Sequence, residues 1–422
     1  MKEAAKGLSK DIFWHTVGTF AYMIALWVIS ILSAKLLDYE SAGVFSLCLV
    51  ASNIAMSFGS FYVRVFYAGD INHLYSDADY WFSRVFTSAA SLLVAVVYSL
   101  GMKYPPDVFW AIFLFYIYKI FELFTEIHSG AFQRHGKMYL SGILNTVKGV
   151  ASLGGFVLGA VLTHTLIGGF AFMIGVGLLV FIAELILLKS SVNVTFSLRD
   201  FSIQRVGKLL LHCLPFFVVL LCSNVLPSIP KAMFEKMYTT TEYGYYSSIA
   251  TISVLIQTAA GSILLPVLPR IGKAYAEKNL KGFLLSCGGL VGFTVVLGLV
   301  AFVLVLFLGD WALSLVFDPS ILQYSSTFKF TIIAGTATGL FVVLNQILIA
   351  MNDKFGVILG SVLGTLTCFG VSRFFIQRYY MDGVSFSLIL SVMVEVVIFV
   401  FFLVIDWKKA LHSPSCNNDV KE

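Results

Sequence analysis

Charged side chains within apolar segments are the residues of this chain best suited to chemistry. In the stretch YKIFELFTEIHSG, Lys119, Glu122 and Glu126 are spaced i, i+3 and i+7, which on a helix places them within an arc of about 60°. Lys148 lies in a second apolar stretch, close to Asn145. Because a charge at the centre of a bilayer costs at least about 2.5 kcal/mol, we expect these residues to face a cavity.

The depth of the charges indicates that they face the interior of the bundle. At a rise of about 1.5 Å per residue, Lys119, Lys148 and Glu395 all lie near the middle of their predicted helices. Ionisable residues at that depth are expected to face the bundle interior or a water-filled cavity. The alternative is a purely structural cluster in which lysine and glutamate neutralise one another.

Other polar residues are expected to have plainer roles. Arg64, Glu126 and Glu184 are predicted near the cytoplasmic interface, where long side chains reach water. His128 is expected to be polar lining, because no His, Cys or carboxylate spacing matches a metal site. We therefore expect no metal and no cofactor, and the absence of a paired acid and base predicts no catalytic residues.

Membrane-spanning helices must position these residues. Of 422 residues, 59% are hydrophobic and 12% charged, with a mean hydropathy of +0.90, which excludes an ordinary soluble domain. The apolar runs reach about 20 residues without strand-like alternation, so an all-α integral membrane protein with about twelve spans is predicted. The spans are expected near 12–34, 41–66, 84–102, 107–132, 138–162, 165–188, 207–229, 243–268, 280–308, 325–350, 355–376 and 383–406.

The basic residues predict the orientation of the chain. Most of the Lys and Arg residues outside the spans, Lys2, Arg84 and Lys409 among them, fall in one set of alternate loops. Such an excess marks the cytoplasmic side, so both termini are expected in the cytoplasm. The net charge of +5 is spread over short loops, which does not indicate nucleic-acid binding.

A repeated segment predicts two halves. KLLDYESAGVFS, from Lys35, aligns without a gap with KMYTTTEYGYYS, from Lys236, which places Gly43 over Gly244. Each copy lies between two long apolar runs. The chain is therefore predicted to contain two pseudo-symmetric lobes of six helices, at 1–195 and 196–422, as in transporters built from repeats.

The repeated segments also carry a family resemblance. AKLLDYESAGVFSLCLVASNI and FEKMYTTTEYGYYSSIATISV resemble the polysaccharide flippases, of O-antigen or capsule type, of the multidrug/oligosaccharidyl-lipid/polysaccharide (MOP) exporter superfamily. The Pro266-x-x-Pro269 sequence and the Gly136-Lys137 and Asp353-Lys354 turns are similar to that family as well. The resemblance covers essentially the whole chain, and its specificity lies in the order and spacing of these motifs.

The resemblance implies a function. Members of this family move a polyprenyl-diphosphate-linked oligosaccharide from the cytoplasmic to the outer leaflet of the bacterial inner membrane by alternating access, for lipopolysaccharide or capsule biosynthesis. Lys119, Lys148, Glu122, Arg64 and Asn145 would then line the substrate cavity, with the lysines near the diphosphate and Arg64 at the cytoplasmic mouth. The carboxyls of Glu122, Glu126 and Glu395 would be the candidates for carrying a coupling ion. The implied partners are the lipid-linked oligosaccharide, membrane lipids, a polysaccharide polymerase and glycosyltransferases, with no enzymatic activity of the chain itself.

Two other functions remain open at this stage. A cation-coupled multidrug exporter of the same superfamily would have an acid-centred site without paired lysines, so Lys119 and Lys148 count against it. A membrane-embedded glycosyl or polymerising enzyme would need a sizeable outer loop with acids or His. The longest outer segment, around Asp310 and Asp318, is short and mostly apolar.

Overall fold

The chain folds into long helices joined by short connections. The structure, a computed structural model, describes residues 2–70, 73–192, 194, 196–351 and 353–412, and within these ranges it contains fourteen α-helices and no β-strand. The helices are α1 (Lys2–Leu36), α2 (Tyr39–Ser60), α3 (Val63–Gly69), α4 (Asp77–Gly101), α5 (Pro106–Arg134), α6 (Met138–Thr163), α7 (Leu166–Leu187), α8 (Ile203–Val225), α9 (Ser228–Met237), α10 (Thr240–Ala276), α11 (Leu280–Val316), α12 (Ser325–Ala350), α13 (Lys354–Tyr379) and α14 (Met381–His412).

Most of these helices are membrane spans. Among the described residues, eleven helical segments are long and apolar enough to cross a membrane. The predicted span at 243–268 lies in α10, several of whose side chains fall outside the described residues. The protein is a multi-pass, all-α membrane protein, and this part of the prediction is confirmed.

The predicted end of the span at 41–66 is wrong, because α2 ends at Ser60 and the chain turns before α3 begins at Val63. Phe61 and Tyr62 have φ angles of 45° and 62°, in the left-handed region that costs a non-glycine residue about 1–2 kcal/mol. Their rings stack on Phe217 and Phe216 of α8, with centroids 4.2 and 5.1 Å apart. These stacking contacts stabilise the turn.

Two compact units make up the chain. One contains residues 1–251 and 310–325, and the other contains residues 252–309 and 326–422. The boundaries of these two units differ from the halves that the duplication in the sequence predicts. The predicted lobe boundary between 195 and 196 therefore stays a prediction.

The two repeated glycines contact each other's segments within the first unit. A Cβ added to Gly43 would lie 2.2 Å from the Thr240 carbonyl oxygen, and one added to Gly244 would lie 1.8 Å from the Tyr39 carbonyl oxygen. In the sequence repeat, Tyr39 aligns with Thr240 just as Gly43 aligns with Gly244. Gly43 therefore contacts Thr240, and Gly244 makes the equivalent contact with Tyr39. The contact is reciprocal, as expected of two related segments, and only glycine allows the backbones of α2 and α10 to approach this closely.

Glycine also sets the packing of α13 on α14 in the second unit. Gly356, Gly360 and Gly364 recur every four residues and form a stripe along one face of α13. Side chains of α14 fill this stripe, since a Cβ on Gly360 would lie 2.3 Å from Phe399 and one on Gly364 would lie 2.2 Å from Glu395. The stripe thus determines where Glu395 lies.

The reciprocal glycine contact predicts a position-specific cost of adding a methyl group. Gly244→Ala should destabilise the folded protein by about 1–3 kcal/mol, because the new Cβ overlaps the α2 backbone. Gly261→Ala is the matched control, since a Cβ at Gly261 on the same helix would have no atom within 4 Å. Thermal unfolding in detergent should show a lower midpoint for Gly244→Ala only. Equal midpoints would contradict this packing.

Candidate functional site

A buried polar cluster joins α1 and α5. Lys119 Nζ lies 2.5 Å from Glu122 Oε2, and the Tyr22 hydroxyl donates to the same oxygen at 2.7 Å. The Tyr22 hydroxyl also lies 3.2 Å from that of Tyr118, which is 2.9 Å from the Ser152 hydroxyl of α6. The structure therefore places Lys119 and Glu122 on one face of α5, as their spacing predicted, and pairs them as in the structural alternative.

Lys148 joins this cluster from α6 through an aromatic ring. Its side chain is buried, and Nζ lies 4.4 Å from the centroid of the Tyr22 ring. No carboxylate of the described residues is within ion-pairing distance of this ammonium. Because Lys119 and Glu122 balance each other, the ionised cluster contains one cation in excess, held by a cation–π contact.

Close packing of α1 on α6 positions these groups. A Cβ on Gly142 would lie 2.0 Å from the Trp14 carbonyl oxygen, and one on Gly149 would lie 2.9 Å from the Cα of Tyr22. The two glycines are seven residues apart on α6 and so share a face. The missing side chain at Gly149 lets Tyr22 approach α6 beside Lys148. Sequence analysis missed Tyr22, because nothing in an apolar first span indicates which ring will meet a lysine over a hundred residues away.

Glu126 belongs to a second cluster at the end of α2. Glu126 Oε2 lies 3.3 Å from an amino group of Arg84, and Oε1 accepts a hydrogen bond of 2.7 Å from Ser60. Arg84 is fully buried and also donates to the Gly59 carbonyl oxygen, to which Thr87 donates at 2.7 Å. The assignment of Arg84 to a loop was therefore wrong. The arginine satisfies a carbonyl group exposed where α2 ends.

Arg64 and Asn145 lie apart from the cluster's hydrogen bonds. Arg64, on α3, donates to Gln133 at 3.3 Å and to Ser129 at 3.5 Å. Asn145 is half-buried one turn before Lys148 and makes no hydrogen bond with the described residues. Their roles as cavity lining stay predictions.

Glu395 is the buried carboxyl of the second unit. It is fully buried on α14, and neither of its carboxyl oxygens has a hydrogen-bond partner among the described residues. The glycine stripe of α13 makes room for it. Sequence analysis found no partner for Glu395, and its participation in ion coupling stays a prediction.

His128 and Glu184 form a buried pair that contradicts the sequence-based expectation for Glu184. Glu184 was predicted to reach water, but it is fully buried, with Oε2 2.7 Å from His128 Nδ1. The indole N–H of Trp81 lies 3.3 Å from His128 Nε2. Burial follows from the parallel packing of α7 on α5, which places Glu184 beside His128 in the interior.

A polar network organises the loop before α4. Asp70 accepts hydrogen bonds from the backbone N–H groups of Leu74 and Tyr75, at 2.9 and 3.1 Å, and from the Tyr80 hydroxyl at 3.0 Å. Burial alone would raise the pKa of Asp70. The hydrogen bonds and the nearby Arg134 guanidinium outweigh that effect and lower the pKa below its ordinary value. The charged carboxylate thus stabilises the loop.

Comparisons with known proteins agree on the fold. No protein-family model matches the chain. The chain is 23% identical to the capsular polysaccharide biosynthesis protein CapF of Staphylococcus aureus over 290 residues. The aligned region covers 67% of this chain and 72% of CapF. An outward-facing multidrug resistance MATE family transporter of the MOP superfamily matches with a TM-score of 0.67 at 11% identity, over 97% of each chain.

A flippase has the same architecture. The lipid II flippase MurJ, in an inward closed conformation, matches with a TM-score of 0.68 at 15% identity, over 94% of this chain and 89% of MurJ. At these identities the likeness concerns the fold. The chain therefore has the fold of the MOP-superfamily transporters, and the resemblance predicted from the sequence is confirmed at that level.

The Arg84 contacts predict a structural role for this residue. Arg84→Ala should destabilise the protein by about 3–5 kcal/mol, because it removes the buried guanidinium that pairs with the Glu126 carboxylate and leaves the Gly59 carbonyl with Thr87 as its remaining side-chain donor. Arg199→Ala, at an exposed arginine, serves as the control. Thermal unfolding of both variants in detergent measures the difference. Equal stability of the two variants would show that the buried arginine is dispensable.

Proposed function

We propose that this protein is a flippase that moves a polyprenyl-diphosphate-linked oligosaccharide from the cytoplasmic to the outer leaflet by alternating access, for surface polysaccharide biosynthesis. The observation that carries the proposal is the buried Lys148 ammonium, which has no carboxylate partner among the described residues and lies beside the Lys119–Glu122 pair. The MOP-superfamily fold and the likeness to a capsular polysaccharide biosynthesis protein support it.

The chemistry of the cluster fits a diphosphate. A diphosphate ester carries at least two negative charges and accepts charge-assisted hydrogen bonds from ammonium groups. Lys148 supplies the excess cation, and Lys119 can exchange its bond to Glu122 for a bond to a phosphate oxygen. The glutamate then prevents an excess of two positive charges when the site is empty, because two unbalanced buried ammonium groups would repel each other.

The same cluster argues against a cationic drug as substrate. A cation entering beside Lys148 would meet an ammonium group that forms no ion pair with a described carboxylate, and Glu122 is already bound to Lys119 and Tyr22. Export of cationic drugs, which requires an acid-centred site, is therefore the weaker alternative.

The proposal includes the setting of the protein. We place it in the bacterial inner membrane with both termini in the cytoplasm and with the repeat-related lobes 1–195 and 196–422 as its moving parts. Glycosyltransferases would supply the substrate at the cytoplasmic face, and a polymerase would use it at the outer face. Of the carboxyls considered for ion coupling, Glu395 is favoured, because Glu122 and Glu126 already bind Lys119 and Arg84.

Transport by the purified protein tests this function. In proteoliposomes loaded with a polyprenyl-diphosphate oligosaccharide, Lys148→Ala should lower the translocation rate about tenfold or more, because a charge-assisted contact of roughly 1.5–3 kcal/mol is lost. Lys119→Ala should also lower the rate. Accessibility of the sugar to an added glycosidase or lectin measures translocation.

The control is Lys281→Ala, which removes an exposed lysine of α11 and should leave the rate unchanged. Each variant is first checked for membrane insertion and for its unfolding temperature. Wild-type rates in a folded Lys148→Ala variant would contradict the assignment of the site. Failure of the wild type to move the lipid at all would contradict the function.

A further inference from the structure

The pair formed by His128 and Glu184 has a defined protonation state. An indole N–H can only donate, so the contact with Trp81 requires a His128 Nε2 without a proton. The short contact between Nδ1 and Glu184 Oε2 then shares one proton, and the pair carries one negative charge. A second proton can bind to the pair without breaking either of these hydrogen bonds only at Glu184 Oε1. This oxygen is buried and has no partner among the described residues.

Aromatic rings isolate the pair from water. The Phe181 ring stacks on the His128 ring, with ring centroids 5.7 Å apart. The Phe196 ring stacks on the indole of Trp81, with ring centroids 5.3 Å apart. His128 and Glu184 each expose 1% of their side chains. In such surroundings a net negative charge is costly and acts on other charges over several ångströms, because little water screens it.

Lys148 on α6 is a charge on which the pair can act. The antiparallel packing of α6 on α7 brings Gly155 against Val176. About two helical turns further along both helices, Lys148 comes level with Glu184. Lys148 is within electrostatic reach of the carboxylates of Glu122, Glu184 and Glu126. The other charged groups on the elements packed around the pair are bound elsewhere or exposed: Arg64, Asp77, Asp79, Arg84, Lys119, Glu122, Glu126, Arg134, Lys137 and Lys189.

We propose that Trp81, His128 and Glu184 form a proton-binding site whose occupancy sets the affinity of the Lys119–Lys148 cluster for an anionic headgroup. Protonation of the pair removes the negative charge that competes with the ligand for Lys148. The proton and the anion therefore bind cooperatively, and by linkage each strengthens the binding of the other. The second half of this inference rests on the proposed function, whereas the proton site does not.

The proton site is tested without any ligand. Trp81 fluorescence, obtained as the difference between wild type and Trp81→Phe in the full-length protein, should change in one step across a pH range in which the protein stays folded. The step arises because the Trp81 indole contacts the His128 ring, which shares its proton with Glu184. It should disappear in Glu184→Gln and in His128→Asn, and it should persist in the control His135→Asn, at an exposed histidine of the same region.

The linkage is tested by binding of farnesyl diphosphate, a soluble prenyl diphosphate, to the detergent-purified protein. Wild-type affinity should rise on the order of tenfold as pH falls through the fluorescence step. Glu184→Gln, which mimics the protonated carboxyl, should bind tightly at both ends of the range. The ligand's own titration cancels in this comparison, since both proteins meet the same ligand. Unfolding temperatures exclude misfolded variants, and Glu184→Met, which also lacks the charge, replaces Glu184→Gln if the latter does not fold.

Each result decides one part of the inference. A fluorescence step that is absent, or that is unchanged in both Glu184 variants, would overturn the proton site and leave a structural pair. Identical pH dependence of binding in wild type and Glu184→Gln would overturn the linkage. No diphosphate binding at any pH, with the fluorescence step intact, would contradict the proposed function and the linkage while supporting the proton site.

Discussion

A buried ammonium group that forms no ion pair with a described carboxylate is the constraint on which the rest of this structure depends. Lys148 is held in the interior by the face of the Tyr22 ring, and the adjacent Lys119 is neutralised by Glu122. A buried charge without an ion-pair partner is costly in a membrane protein, so its presence indicates a task that apolar packing would not perform. An anionic headgroup that enters the bundle would remove that cost.

Small residues create the geometry that the charges need. Gly149 lets Tyr22 approach Lys148, the repeated Gly43 and Gly244 join α2 to α10, and the glycines of α13 accommodate Glu395. Within a bilayer, helices gain little from hydrophobic exclusion and associate by close contact instead. The same glycines that permit tight packing therefore also bring polar side chains of distant segments together.

The sequence predicted what depends on one helix or on composition. The all-α membrane fold followed from the apolar runs, and the shared face of Lys119 and Glu122 followed from helical spacing. Residues that meet across helices were not predictable, because periodicity shows which face a residue occupies and not which helix it contacts. Tyr22 and the His128–Glu184 pair are of this kind. Arg84 was assigned to a loop because the acids and aromatic residues before it resemble an interfacial segment, whereas α4 begins at Asp77 and buries the arginine.

The central claim is that Lys148 selects a diphosphate headgroup, and native mass spectrometry tests it most directly. Purified protein is offered equal concentrations of a polyprenyl diphosphate and the matching polyprenyl monophosphate, and the bound lipid is identified by mass. The wild type and Lys281→Gln should retain the diphosphate in preference to the monophosphate, and Lys148→Gln should lose that preference. An unchanged preference in Lys148→Gln, or no preference in the wild type, would contradict the account.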